Sequence, residues 1–163
     1  MDFEQLLRHL ALAVETADGE ALADCFTDDG VYEDYFFGRK QGRQGLREML
    51  AHFYQGAENF RWEFFDAVCA GDKGYARYRF SYDSLQPQAK GVRVGFDGIS
   101  CLELRNGLIA HYREVFDRGM ALAQQNFEPA RIVRLEMKHA AALRASPEWA
   151  AHFGVRSEGA IRG

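Results

Sequence analysis

The sequence predicts an α+β fold, in which a curled antiparallel sheet packs on three N-terminal helices and a helical extension follows at the C-terminus. Two patterns support this prediction. Apolar residues recur at helical spacing in the first third of the chain, and four long runs with alternating aromatic residues follow. Helical spacing returns after Phe127. We therefore expect one domain over residues 1–127, with 128–163 as a helical extension of it.

The first third of the chain has the caps and apolar stripes of three helices. Asp2 is placed to cap a helix over residues 3–17, and Asp18 is placed to cap a short second helix. A turn over residues 27–30, with Gly30 at its end, is predicted to close that helix. A strand over residues 31–35 and a glycine-containing loop come next. The third helix is predicted over residues 46–54 and is closed by Gly56.

The middle of the chain predicts an antiparallel meander. Its runs cover residues 59–70, 75–85, 91–104 and 108–117, and the Asn106 and Gly107 pair between the last two is typical of a tight hairpin. Gly91, Gly95 and Gly98 indicate bends that allow the sheet to curl. Beyond it, Pro129 is suited to the first turn of a helix, and a further short helix is predicted to end at Gly154.

Composition excludes several classes of function. The net charge of -4 and the sequence pI near 5.7 provide no basic surface for nucleic acid. The chain has no apolar run of about 18 residues, so we expect no membrane span. Cys25, Cys69 and Cys101 are an odd number without the spacing of a metal site, which favours reduced thiols. We expect a cytoplasmic protein.

The order of these elements, together with residues 28–34, Asn106 with Gly107, and residues 112–117, resembles the nuclear transport factor 2-like superfamily. Within it, the chain is similar to the SnoaL-like group, which is named for a polyketide cyclase. The resemblance covers roughly residues 2–127. It implies a cystatin-like sheet curled around a mostly apolar pocket. The superfamily includes isomerases, dehydratases, epoxide hydrolases, cyclases and binding modules, so the fold alone selects no reaction.

Asp34 is the first candidate for catalysis. In the ketosteroid isomerases of this superfamily, the aspartate at the corresponding position is the general base. Strand alternation places Tyr32 on the same face, and a carboxylate against apolar walls has its pKa raised by desolvation. A structural role is the alternative, in which Asp34 braces the loop that contains Gly38 and Gly45.

The chain departs from the ketosteroid isomerases at their two acidic donors. Leu10 stands where those enzymes have a tyrosine, and Ser100 stands where they have a protonated aspartate. Leu10 cannot donate a hydrogen bond and Ser100 is a weaker donor. A shift of register at Gly98 would let Asp97 serve instead. Steroid-type isomerisation is therefore disfavoured.

The end of the last strand supplies further candidates. SnoaL-like cyclases carry a working acid where Asp117 stands, and an inward Asp117 would share its face with Arg113 and His111. Arg113 could pair with Asp117 and lower its pKa, as a ligand anchor or as a purely structural pair. His111 could shuttle protons or be an ordinary polar residue of the sheet.

Two further active-site patterns are not met. Arg79 and Asp83 are four residues apart, whereas limonene epoxide hydrolases use an Arg and an Asp two apart on a strand. The remaining histidines lack ligand spacing, so we expect no metal.

The sequence thus predicts a homodimeric, cofactor-independent enzyme that acts by acid–base chemistry on a small hydrophobic molecule. Asp34 would be the proton acceptor, and Asp117 and His111 would assist it. The alternative is a non-catalytic module for ligand binding or dimerisation. The predicted ligand-binding residues are Tyr32, Trp62, Phe96, Ser100 and Arg113.

Overall fold

The computed structural model describes residues 2–154, and the predicted α+β fold is confirmed. The chain divides into two compact units, residues 1–126 and 127–163. The described part of the first unit contains four α-helices, six strands and a 3₁₀ turn (Pro87–Ala89) between the fourth and fifth strands. The helices and strands are α1 (Phe3–Glu15), α2 (Gly19–Asp24), β1 (Phe26–Asp34), β2 (Gly38–Gln41), α3 (Gly42–Gly56), β3 (Ala57–Ala70), β4 (Lys73–Ser84), β5 (Arg93–Arg105), β6 (Leu108–Phe116) and α4 (Arg118–Gln124).

The strands form one sheet in the order β2-β1-β6-β5-β4-β3. Strands β3 to β6 are the predicted antiparallel meander. Strand β1 lies beside β6 and runs parallel to it, so the sheet is mixed. This pairing brings the C-terminal end of β1 next to the middle of β6, because Glu33 is in register with Arg113.

The segment before Asp34 differs from the prediction. Residues 27–30, predicted as a turn, belong to β1, and α2 ends at Asp24. The pairing with β6 shifts register between Phe26 and Val31. Gly30 lies in this irregular stretch, where an added Cβ would be 2.8 Å from the Thr27 carbonyl oxygen. Gly30 is therefore part of a bulge in β1 and does not end a helix.

The helices cover the inner face of the sheet. Asp2 begins α1 with a capping box, in which its Oδ1 accepts a hydrogen bond of 2.7 Å from the Gln5 amide. The buried side of α1 meets the aromatic residues of the sheet in a single core. Leucine and valine side chains supply that side: Leu6, Leu7, Leu10 and Val14.

The second unit begins with α5 (Pro129–Ala145), which starts at the predicted proline. A 3₁₀ turn (Pro147–Trp149) and α6 (Ala150–Phe153) follow. The Arg144 guanidinium lies 4.3 Å from the centre of the Phe153 ring and joins the two helices. Residues 155–163 of the predicted extension lie outside the described residues. Among residues 2–154, no helix is long and apolar enough to cross a membrane.

Candidate functional site

Asp34 ends β1 and is 8% exposed. Its Oδ1 accepts hydrogen bonds from the backbone amides of Phe36, at 2.9 Å, and Phe37, at 2.6 Å. These bonds shape the turn that leads into β2. The carboxyl group therefore supports this turn, and it does so from inside the aromatic core.

Burial raises the pKa of Asp34 to about 6, although the amides of Phe37 and Phe36 and the Tyr32 hydroxyl oppose the shift. At pH 7 the group is mostly ionised, with a pKa close to the range that suits a general base. Oδ1 already accepts two amide protons. Oδ2 accepts neither of these two bonds.

A second buried carboxyl group, Glu114 on β6, shares this interior. Its Oε1 accepts a hydrogen bond of 3.3 Å from the Tyr32 hydroxyl, and its Oε2 accepts one of 3.0 Å from the Tyr112 hydroxyl. The Ser100 hydroxyl lies 2.7 Å from the Tyr112 oxygen. Because the Tyr112 hydroxyl donates its hydrogen bond to Glu114, the Ser100 hydroxyl is the donor to the Tyr112 oxygen. A chain of hydroxyl groups thus converges on Glu114.

Both carboxyl groups have raised pKa values. Burial and the nearby charge of Asp34 raise the pKa of Glu114 to about 8, against the opposing effect of the tyrosine hydroxyls. The larger shift at Glu114 favours a proton on that group, whereas Asp34 ionises more readily. Groups whose environments separate their pKa values in this way are suited to the roles of proton donor and proton acceptor.

Aromatic rings provide the apolar surroundings that cause both shifts. Tyr32 stacks on Tyr112 with ring centres 4.7 Å apart. Phe96 stacks on Phe116 at 4.6 Å, and Trp62 meets neighbouring rings edge to face. These rings exclude water from the carboxyl groups.

Four of the five predicted ligand-binding residues lie inside. Tyr32, Trp62 and Phe96 are buried on the inner face of the sheet, as strand alternation predicted. Ser100 is also buried, and it acts through Tyr112 rather than alone. Tyr32 and Ser100 join the hydrogen bonds that lead to Glu114, and Trp62 and Phe96 belong to the same aromatic core.

The expectation that His111, Arg113 and Asp117 share the inner face of β6 was wrong. Tyr112, Glu114 and Phe116 are the buried residues at that end of the strand, so the alternate positions point outward.

The outward residues have other partners. Arg113 pairs with Glu103 at 3.3 Å rather than with Asp117. The Nε2 atom of His111 lies 3.1 Å from a carboxylate oxygen of Glu33. Asp117 caps α4 and accepts a hydrogen bond of 2.8 Å from the Met120 amide. Asp97 is likewise exposed.

The sequence contained one signal for Glu114. Tyr112, Glu114 and Phe116 alternate with Arg113 and Val115, and the two aromatic residues favour their own side of the strand as the buried one. If Arg113 is assigned to the outer face of the sheet, strand alternation assigns Glu114 to the inner face. The sequence-based prediction assigned Arg113 to the inner face and therefore did not include Glu114 in the predicted site.

Three cavities open on the described part of the protein, with volumes of ≈ 610, 560 and 500 Å³. Asp34 lines none of these three. The largest of these three lies between α1 and β3, is within the size range of ligand sites, and has Trp62 in its wall.

The sequence profile of the SnoaL-like domain family matches residues 6–112. The chain therefore belongs to the SnoaL-like domain family. Among curated proteins, no sequence matches significantly.

Solved structures share the fold of this chain. A protein with a ketosteroid isomerase-like fold from Catenulispora acidiphila, in complex with trimethylamine, aligns with a TM-score of 0.68 and 21% identity, over 77% of this chain and 98% of that one. A candidate polyketide cyclase from Xanthomonas campestris aligns with a TM-score of 0.62 and 19% sequence identity, over 75% of this chain and 95% of that one. An LEH-like epoxide hydrolase from M. tuberculosis aligns with a TM-score of 0.60 and 17% sequence identity, over 85% of this chain and 94% of that one. At these identities the likeness concerns the fold.

Proposed function

We propose that this protein is a cofactor-independent acid–base enzyme that acts on a small hydrophobic molecule. The observation that supports it most is the pair of buried carboxyl groups, Asp34 and Glu114, with pKa values of about 6 and about 8. Isomerases, cyclases and hydrolases all move protons between such groups. The polyketide cyclase and epoxide hydrolase among the fold relatives agree with this class of chemistry.

In this proposal each carboxyl group has one role. Asp34 takes a proton from the substrate through Oδ2, while the O–H of protonated Glu114 donates to the substrate atom that gains negative charge. Tyr32 and Tyr112 hold Glu114 in place by their hydrogen bonds. The aromatic rings exclude water, which strengthens both interactions.

The test compares Asp34→Asn with Asp97→Asn, a matched change at an exposed carboxylate on the outer face. Hydrophobic ketones, esters and epoxides would be incubated in D2O, and products or deuterium uptake followed by NMR. We expect Asp34→Asn to reduce turnover on the order of 100-fold and Asp97→Asn to leave it unchanged, because only Asp34 is a positioned base. Equal turnover by both variants would contradict the assignment.

A non-catalytic ligand-binding module is the second candidate, because two backbone amides already occupy Oδ1 of Asp34. In that case Asp34 is a brace for the turn before β2. Asp34→Asn would then lower the free energy of unfolding by more than about 2 kcal/mol, and no substrate would be turned over by the wild type.

We also infer a homodimer in the cytoplasm, formed through the outer face of the sheet. Four large apolar side chains are exposed there. Val68 is opposite Tyr75 on β3 and β4, and Ile99 is opposite Val115 on β5 and β6. Sedimentation at tens of micromolar should give the mass of a dimer. A monomer at that concentration would contradict this arrangement.

A further inference from the structure

Strand β3 lies at one edge of the sheet and pairs with β4 on its other side. One hydrogen bond shows which backbone groups face outward. The Trp62 amide donates to Oε1 of Glu15 on α1, at 2.7 Å, so it points away from β4. Because backbone direction alternates along a strand, the Trp62 carbonyl and both backbone groups of Phe64 point the same way. This part of β3 therefore presents four backbone groups at the edge.

Two bulges bound this part of β3. The pairing with β4 shifts register on both sides of residues 61–65. Asn59 lies in the first shift, with a φ of 53°, and Asp66 lies in the second, with a φ of 52°. Bulges twist an edge strand and prevent further pairing where they occur. The regular stretch between them is about 17 Å long, the length of five strand residues.

Two other edges of the sheet are blocked. Strand β2 is four residues long and carries Arg39 and Lys40. At the start of β5, Gln124 of α4 accepts a hydrogen bond of 3.0 Å from the Gly95 amide and donates one of 2.9 Å to the Gly95 carbonyl. The side-chain amide thus takes the place of a neighbouring strand.

The edge of β3 is blocked only in part. Glu15 satisfies the Trp62 amide, and no hydrogen bond joins the other three edge groups to a residue within 2–154. Unpaired edge groups are those to which an extended peptide adds as a further strand. Residues 61–65 therefore form the part of the sheet that is suited to strand addition.

A cleft runs along this edge. The ≈ 610 Å³ cavity is lined by α1 on one side and by residues 61–67 of β3 on the other. Leu12 of α1 lies in its wall with 56% of its surface exposed, and Phe64 is partly buried there. An extended segment in this cleft would place the side chains of one face against Leu12. Apolar side chains suit that face.

Arg61 indicates the charge of the other face. Three arginines on the outer face of β4 and β5 each contact a carboxylate, at 3.3, 3.3 and 3.2 Å: Arg77, Arg79 and Arg93. Arg61 contacts no carboxylate among the residues that the structure describes. An acidic side chain at the neighbouring position of an added strand would be its partner, because opposite charges side by side stabilise strand pairs.

We propose that residues 61–65 of β3 bind an extended segment of a partner protein, which adds to the sheet as a further strand. Its apolar side chains lie in the cleft against Leu12, and an acidic side chain lies beside Arg61. Its backbone bonds to the Trp62 carbonyl and to both groups of Phe64. This surface is separate from the buried carboxyl pair, so the inference does not rest on the proposed function.

The probe is the acetylated and amidated peptide Lys-Val-Thr-Val-Glu-Val-Thr-Val-Lys. It alternates apolar and polar residues, and it reads the same in both directions. The peptide would be titrated into the full-length protein labelled with ¹⁵N and followed by NMR. We expect a dissociation constant below about 1 mM, with the largest shifts at the amides of Trp62 and Phe64. No binding at that concentration would overturn the proposal.

N-methylated peptides test recognition of the backbone. Antiparallel addition directs the valine amides at β3, whereas parallel addition directs the amides of the threonine and glutamate residues at it. Methylation of one of these two sets should therefore abolish binding, and methylation of the other should be tolerated. Equal effects of the two sets would show that the peptide does not bind by strand addition.

Variants test the role of Arg61. Arg61→Gln should weaken binding of the peptide about 2- to 5-fold and should not change binding of the peptide with glutamine in place of glutamate. Arg8→Gln is the matched control, because Arg8 also lines the cleft but pairs with Glu4. It should show no difference between the two peptides. Both arginines are exposed, so both variants should fold normally. Equal behaviour of the two variants would contradict the acidic partner.

Amide hydrogen exchange identifies other occupants of the edge. In the free protein the Phe64 amide should exchange faster than the amides of Glu63 and Phe65, which face β4, and the peptide should slow it about tenfold or more. Slow exchange of Phe64 that becomes fast on dilution would show that a second copy occupies the edge. Slow exchange at every concentration would show that the same chain covers it. Either result would overturn the proposal.

Discussion

The inner and outer faces of β5 and β6 carry acidic residues whose ionisation is shifted in opposite directions. On the inner face, burial raises the pKa of Glu114. On the outer face, Glu103 lies 3.0 Å from the Lys73 ammonium, and this partner lowers its pKa. Desolvation dominates where no cation is near, and pairing dominates where water remains. The face of the sheet on which an acidic residue lies thus decides whether burial raises its pKa, as at Glu114, or a surface ion pair lowers it, as at Glu103.

The largest expected effect comes from truncating neighbouring residues on opposite faces. Glu114→Ala should lower the free energy of unfolding by about 3 kcal/mol, because the Tyr32 and Tyr112 hydroxyls lose their acceptor and a cavity remains. Arg113→Ala should change it by less than about 0.5 kcal/mol, since its ion pair is exposed. Urea unfolding at pH 6 measures both. Similar values for the two variants would remove the distinction between the faces.

Glycines on the two faces make a second matched pair. Gly98→Ala should cost about 2 kcal/mol, because the added Cβ would lie 2.6 Å from the Val115 carbonyl oxygen as well as against Tyr78. At Gly95 the nearest atom is the Ser81 Cβ, at 3.7 Å, which is ordinary contact. Gly95→Ala should therefore be nearly neutral. Thermal unfolding of the two variants measures the difference, and equal melting temperatures would contradict the packing described at Gly98.

The inner carboxyl groups should make the protein less stable as the pH rises. Their folded pKa values are raised, so between pH 4.5 and about 8 the native state holds a proton on Glu114 that the unfolded chain releases. Stability then falls by at most about 1.4 kcal/mol per pH unit for this group. Asp34 adds the same trend between pH 3.8 and about 6.

Glu114→Gln removes one titrating group and should flatten the curve between pH 6 and 8. Urea unfolding at pH 5, 6, 7 and 8 measures the slope. Glu103→Gln is the control on the outer face. The pKa of Glu103 is lowered, so its contribution is lost only as the pH falls below 4.5. A slope between pH 6 and 8 that Glu114→Gln does not change would mean that Glu114 is not the group responsible.

The smallest expected effect concerns Asp117. Because its side chain caps α4, Asp117→Ala should lower the free energy of unfolding by about 1 kcal/mol, whereas Asp117→Asn should cost much less. Neither variant should alter turnover of a substrate found in the screen, since Asp117 lies outside the aromatic interior. A loss of turnover without loss of stability would instead support the predicted catalytic role of Asp117.

Local patterns were sufficient for most of the fold. The apolar spacing of α1, its cap at Asp2 and the Asn106 and Gly107 turn each depend on residues close together in the chain, and the structure has these elements where the sequence predicts them. Residues 27–30 were misread because a bulge in β1 looks locally like a turn. Only the pairing of β1 with β6 makes it part of a strand.

The sequence by itself determined α1, α3 and α5, the meander and the inward position of Tyr32 beside Asp34, because one side of each element is consistently apolar. It did not predict α4. It also did not determine which face of β6 is the inner one. Ile109 and Val115 favour burial of the odd-numbered positions, whereas Tyr112 and Phe116 favour burial of the even-numbered positions. Tertiary structure decided that choice, because pairing with β1 and β5 and the cover of the helices select the face that is buried. The same choice placed Glu114 inside and Asp117 at the cap of α4. The raised pKa of Glu114 is a property of that burial, which no local pattern contains.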